Sequence, residues 1–170
     1  MSGQTQVSKG GGIYSVAPAL TLSEATVTGN AAGSGGGLFV YYGSSATIHN
    51  CTFAGNSASV SGGGLFVEPP AWGSPLSDVK STIFSENRAT QNPDLAGPIT
   101  SSHNLFQEIG DASPNIIGDG TDIVGRPALL GRFGFHDGGT TQTTLPARNS
   151  PAVLNGPGVN IDSLSQDQNG

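Results

Sequence analysis

Apolar residues recur along this chain in short alternating runs. Ala19 to Val27, Ala46 to Phe53 and Val79 to Phe84 are rich in Thr, Val, Ile and Phe, residues that suit a pleated, half-buried surface. No window places apolar residues at i, i+3, i+4 and i+7, so no amphipathic helix is predicted. The runs also repeat. Leu22 stands eight residues before Asn30, Ile48 eight before Asn56, and Val79 eight before Asn87. Val27, Phe53 and Phe84 each precede those asparagines by three residues. A glycine phrase shares the period: Gly10-Gly11-Gly12-Ile13-Tyr14 returns as Gly35-Gly36-Gly37-Leu38-Phe39 and as Gly62-Gly63-Gly64-Leu65-Phe66, at steps of 25 and 27 residues. A repeat of about 20 to 50 residues is the signature of a solenoid.

The glycines decide which solenoid. Three together would cost a helix roughly 3 kcal/mol, whereas at a corner glycine reaches positive φ without a steric penalty. Each repeat is therefore expected to hold two or three short strands joined by Gly/Ser/Asn corners. Coils of this kind stack at about 4.8 Å and bring equivalent positions above one another in an all-β, single-stranded parallel β-helix. The alignment predicts inward ladders Ile13–Leu38–Leu65, Leu22–Ile48–Val79 and Val27–Phe53–Phe84, with Ala25, Cys51 and Thr82 at one further equivalent position. Asn30, Asn56 and Asn87 are expected to form an amide ladder at a turn, since Asn tolerates the left-handed region and its amide can bond those above and below. Tyr14, Phe39 and Phe66 form an outer column, read chiefly as packing and alternatively as a sugar-stacking stripe.

The glycine phrase followed by F-x-x-N resembles the repeat of the chlamydial-type polymorphic outer-membrane proteins. The second element is intact as Phe53-Ala54-Gly55-Asn56 and Phe84-Ser85-Glu86-Asn87, and degenerate as Val27-Thr28-Gly29-Asn30. The C-terminal half is similar to bacterial choice-of-anchor Q β-helix proteins through Pro93-Asp94-Leu95, Ser102-His103-Asn104-Leu105, Pro127-Ala128-Leu129-Leu130-Gly131, Gly138-Gly139-Thr140-Thr141-Gln142-Thr143, Ser150-Pro151-Ala152-Val153 and Asp167-Gln168-Asn169-Gly170. It departs from that pattern at Leu154, where the family has an acidic residue, and at Asn169, where it has arginine. The resemblance implies a right-handed, pectin-lyase-like coil, in agreement with the general crossover preference. It also implies a bacterial cell-surface or secreted setting.

Residues 10–34, 35–61, 62–92 and 93–126 read as successive coils, and 127–170 as a Gly/Pro/Thr-rich cap of the same domain. In the fourth coil Ile99, Leu105-Phe106, Ile116-Ile117 and Ile123-Val124 are expected to face inward. The third coil carries an insertion, Glu68 to Pro75, whose prolines exclude a central strand. Trp72 at its tip, with Tyr41 and Tyr42, is a candidate ligand or partner contact.

Composition narrows the function. The chain of 170 residues has a net charge of −6 and only six basic residues, Lys9, Lys80, Arg88, Arg126, Arg132 and Arg148, which form no cluster. A nucleic-acid footprint is therefore absent, and polyanions would be repelled. Cys51 is alone, so no intrachain disulfide forms. Met1 to Lys9 holds no apolar signal core, and no run approaches the ~18 apolar residues of a membrane-spanning helix. The chain enters its first repeat almost directly, which predicts a piece of a longer surface protein.

Chemistry is sparse. Gly118-Asp119-Gly120-Thr121-Asp122 partly matches a calcium-binding nonapeptide turn but occurs once. Asp119 and Asp122, with Asp111 nearby in sequence, are thus at most weak calcium ligands, because such sites need about 6–8 oxygens from successive turns. No other cofactor is expected. His49, His103 and His136 lie far apart, with Asp137 beside the last. Neither a G-x-S-x-G nor an H-E-x-x-H motif occurs. The expected function is a non-catalytic structural or adhesive segment, with host-surface or extracellular-matrix polysaccharides or proteins as partners. The alternative is a carbohydrate-active lyase or hydrolase, or a carbohydrate-binding β-helix, whose active coils lie elsewhere.

Overall fold

The computed structural model describes residues 8–69, 76–111, 116–136 and 139–154, apart from the Leu154 side chain. The first coil contributes strands β1 (Ile13–Ser15), β2 (Ala19–Ser23), β3 (Thr26–Thr28) and β4 (Ala31–Ser34). The second contributes β5 (Leu38–Val40), β6 (Ser45–His49), β7 (Thr52–Ala54) and β8 (Ser57–Ser61). The third contributes β9 (Leu65–Val67), β10 (Ser77–Lys80), β11 (Ile83–Ser85) and β12 (Arg88–Gln91). Then follow β13 (Leu95–Ala96), β14 (Ile99–Ser102), β15 (Leu105–Phe106), β16 (Ile116–Gly118) and β17 (Ile123–Val124).

These strands make stacked parallel sheets, ordered β1-β5-β9-β13, β2-β6-β10-β14-β16, β3-β7-β11-β15-β17 and β4-β8-β12. The protein is a parallel β-helix. Its registers pair Ile13 with Leu38 and Leu38 with Leu65, Leu22 with Ile48 and Ile48 with Val79, and Val27 with Phe53 and Phe53 with Phe84. Each predicted apolar ladder is thus a column of the structure. Leu95 extends the first and Phe106 the third. Leu38, Ile48, Phe53, Leu65, Val79 and Phe84 are fully buried. The phenylalanine rings stack at 5.0 Å from Phe53 to Phe84 and again from Phe84 to Phe106, a geometry that adds about 0.5–1.5 kcal/mol per pair beyond area burial.

The first three coils hold four strands each rather than two or three. The strand that periodicity missed is the β4-β8-β12 sheet, made of Ala, Ser, Gly, Thr, Gln and Arg88 with only Val60 as a large apolar residue. Residues of that kind give little alternation to read, and a register shift between Ala32 and Ser34 breaks what there is.

Three corners per coil use the left-handed region. Gly10, Gly35 and Gly62 lie at φ 66, 64 and 65, and Asn92 takes the same place at φ 51. Glu24, Asn50, Ser81 and His103 share a second corner, and Gly29, Gly55 and Glu86 a third, all at positive φ. Beyond the first corner the glycine stack continues as ladder hydrogen bonds, with Gly36 N–H donating to Gly62 O and Gly37 N–H to Gly63 O. A Cβ on Gly36 would fall 2.3 Å from Ser57 O. Gly36→Ala is therefore expected to cost about 2–3 kcal/mol in urea unfolding. At Gly55 the nearest atom to such a Cβ is 3.9 Å away, so Gly55→Ala meets only the left-handed cost of about 1–2 kcal/mol. Equal costs at the two sites would contradict this account of the corner.

Two expected inward residues are corrected. Ile117 is 61 % exposed, because it pairs with Thr100 in the outward column while Ile116 takes the inward place. Val124 continues the phenylalanine column but is 49 % exposed at its end. Beyond residue 126 the described chain holds an antiparallel pair, β18 (Gly134–Phe135) and β19 (Gln142–Thr143), and helix α1 (Pro151–Leu154). Asp137, Asn169 and the closing Asp167-to-Gly170 motif lie outside the described residues.

Candidate functional site

Polar side chains inside the coils do structural work that the sequence only partly disclosed. Asn30 Nδ2 donates to Asn56 Oδ1 at 3.1 Å, Asn56 Nδ2 to Asn87 Oδ1 at 3.1 Å, and Asn87 Nδ2 to Asp94 Oδ1 at 2.9 Å. Each Oδ1 of Asn56 and Asn87 also accepts the backbone N–H of the asparagine in the preceding coil. The predicted asparagine ladder therefore exists and runs into a carboxylate. A second ladder stands at the Cys51 position: Cys51 N–H donates to Thr82 Oγ1, Thr82 N–H to Asn104 Oδ1, and Asn104 N–H to Asp122 Oδ1. Its members all lie two residues before the phenylalanine column, a spacing that extends to Asn104 and Asp122 in the sequence. Cys51 Sγ–H donates to His49 O at 3.1 Å, and burial pushes the thiol pKa up.

Asp94 is fully buried and its pKa is raised to about 6 by desolvation, against hydrogen bonds from Glu108 N–H and Asn87 that favour the charge. The folded state thus holds this proton more tightly than the unfolded chain, whose reference is 3.8. The stability it contributes is fully present below the unfolded value and is lost as pH rises through about 6. Across that window the change amounts to about 3 kcal/mol, with roughly half still present at pH 5. Asp94→Asn is expected to flatten this segment of the stability profile, measured by urea midpoints from pH 4.5 to 7.5. A slope unchanged in the variant would exclude Asp94 as its source.

The two acidic residues of the 118–122 turn face different ways. Asp119 is exposed and accepts from the Thr121 hydroxyl and backbone N–H, which hold its pKa down. Asp122 turns into the second ladder, where its other oxygen accepts from Ser101 Oγ. Among the described residues no group of three or more His, Cys, Asp or Glu side chains is placed to hold a metal ion.

On the outer face of β10, Lys80 Nζ sits 3.0 Å from Asp78 Oδ2, and Thr100 Oγ1 donates to Asp78 Oδ1 at 2.7 Å. Burial raises the Asp78 pKa, but these two partners outweigh it and the net shift is downward. His49 lies beside Lys80 in register. The carboxylate is fully engaged by its neighbours, as expected of a solvated polar face.

The remaining cluster is aromatic. Tyr14, Phe39 and Phe66 stand on the outer face of successive coils, with Phe39 and Phe66 stacked at 5.0 Å and 2°. Phe39 is buried, so packing describes this member of the column. Tyr14, by contrast, is 46 % exposed and meets Tyr41 edge-on at 6.2 Å. Tyr41 and Tyr42 are exposed at 41 % and 58 %. A Lys9–Glu68 ion pair of 2.5 Å crosses the column, and the ammonium lies 4.8 Å from the Phe39 ring centre and 5.4 Å from that of Tyr41. Glu68 also accepts Tyr42 N–H at 2.9 Å. Sequence reading named the tyrosines but not Lys9 or Glu68, because their 59-residue separation gives no local signal. Trp72, the third predicted contact, lies outside the described residues.

No helix of the described residues is long and apolar enough to cross a membrane. No curated protein and no solved structure matches the chain. Residues 50–68 match the Chlamydia polymorphic membrane protein (Chlamydia_PMP) repeat, a stretch that runs from the left-handed corner at Asn50 through Cys51, Phe53, Asn56 and the glycine corner to Leu65 and Glu68, and leaves out the Leu22–Ile48–Val79 column.

Proposed function

We propose that this chain is a non-catalytic structural and adhesive segment of a bacterial cell-surface protein, a stiff spacer whose exposed loops and outer face do the contacting. The observation that carries this reading is the in-register stack itself. Its interior is filled by apolar columns and two polar ladders, and residues 50–68 resemble the polymorphic membrane protein repeat. Each coil is stabilised by its neighbours, which makes such an array suited to holding contacts at a distance. The C-terminal likeness to choice-of-anchor Q proteins fits a tethered parent chain, and the segment from residue 127 is read as the closure of the last coil's edge.

The alternative, a polysaccharide lyase or hydrolase, needs converging carboxylates or a base flanked by cations. The outer-face carboxylate of β10 is already bonded to Lys80 and Thr100. Calcium, if taken up, belongs to the weak millimolar class and would use Asp119 at the surface. The test is incubation of the purified chain with pectin, polygalacturonate and alginate, with and without calcium. The reading expects no new reducing or unsaturated ends. Turnover proportional to protein concentration would overturn it.

A further inference from the structure

We propose that the Tyr14–Tyr41–Tyr42 shelf is a binding site for neutral pyranose glycans, an assignment that rests on the surface-contact reading above and names its ligand class. Three exposed tyrosines come from two neighbouring coils, and the edge-on Tyr14–Tyr41 contact joins two of their rings into one surface, with Tyr42 next to Tyr41 in the same turn. Aromatic faces carry negative potential and attract the electropositive C–H face of a sugar ring, while the phenol hydroxyls and the free N–H bonds of Lys9 supply hydrogen bonds at the rim.

The shelf is built before any ligand arrives. Tyr41 N–H donates to Ser15 O at 2.9 Å and Ser44 N–H to Tyr41 O at 3.0 Å, closing the turn that carries both tyrosines. Glu68 then ties Tyr42 N–H and Lys9 together with one carboxylate. A side chain or turn that is already ordered costs less to immobilise on binding. An isolated exposed tyrosine needs no explanation, but a pinned turn presenting two beside a third from the next coil is an arrangement with a surface as its product.

Charge selects the ligand. Lys9 is neutralised by Glu68 at 2.5 Å, so the shelf offers no net cation to a uronate or sulfate. The whole chain carries −6, which disfavours polyanions further. Neutral hexose or pentose chains match the ring faces without that cost.

The experiment is a heteronuclear NMR titration of the full chain with cellohexaose, xylohexaose, mannohexaose, chitohexaose and hexagalacturonate, followed at the tyrosine ring resonances. At least one neutral hexasaccharide is expected to shift Tyr14, Tyr41 and Tyr42 together. Tyr41→Ala is expected to weaken that binding about fivefold, as loss of one stacking partner implies, and Tyr41→Phe to retain most of it. Tyr41 is exposed, and a thermal melt of each variant checks that the fold is kept. Absence of tyrosine shifts with every neutral sugar overturns the proposal, as does equal or tighter binding of hexagalacturonate, or binding that Tyr41→Ala leaves unchanged. A silent shelf leaves the spacer reading standing, whereas sugar cleavage in the same samples would sink that reading instead.

Discussion

Phe53→Asp is expected to leave no cooperatively folded protein. Phe53 is fully buried between Val27 and Phe84 within its column. The substitution removes the ring and its 5.0 Å stack on Phe84, at about 3–5 kcal/mol for a large core aromatic. It also buries a carboxylate with no cation beside it, which adds several kcal/mol before the group takes up a proton. The sum rivals the whole stability of a typical domain, about 5–15 kcal/mol. Thermal melting followed by circular dichroism is the check. A mutant that melts cooperatively at the parent temperature would show that position 53 does not lie inside the coil.

Asn56→Ala is expected to cost about 3–5 kcal/mol, since each buried polar group left unpaired costs about 1–3. Its Oδ1 accepts two bonds from Asn30, and its Nδ2 donates to Val27 O at 2.9 Å and to Asn87 Oδ1. All of these end with the truncation, in an interior where Asn56 has no exposed surface. Asn30→Ala should cost much less, about 1 kcal/mol, because Asn30 is half-buried and its side chain serves only as a donor. Urea unfolding of the two variants tests this gradient. Similar small losses at both positions would mean that the ladder bonds add little to the fold.

Much of this architecture was legible in the sequence because a solenoid writes its period twice, once in glycine corners and once in apolar columns. Ile13, Leu38 and Leu65, or Val27, Phe53 and Phe84, could be aligned without any long-range information, and parallel stacking then turned equal phase into contact. The β4-β8-β12 sheet was not legible, since Ala, Ser, Gly and Thr carry little alternation for a pattern to reveal. Asp94 escaped for a different reason. It sits in the turn after the Asn92 corner, seven residues beyond Asn87, and meets that residue only because the coil closes there. Asp122 invited a calcium reading from its Gly/Asp neighbourhood, yet its distance from Val124 repeats that of Thr82 from Phe84, which is the phase of the second ladder. The tyrosines of the shelf stood out as aromatic residues, while Lys9 and Glu68 could be joined to them only by the fold.

Every assignment above depends on the register of the coils, and nuclear Overhauser contacts report that register directly. The Phe53 ring is predicted to show cross-peaks to the Val27 methyls on one side and to the Phe84 ring on the other. The Asn56 side-chain amide is predicted to show them to Asn87. Observation of all three sets fixes the stack. A Phe53 ring whose contacts are confined to residues near it in sequence, or which faces the counterpart of a one-residue slip, would contradict the parallel coil and the function built on it.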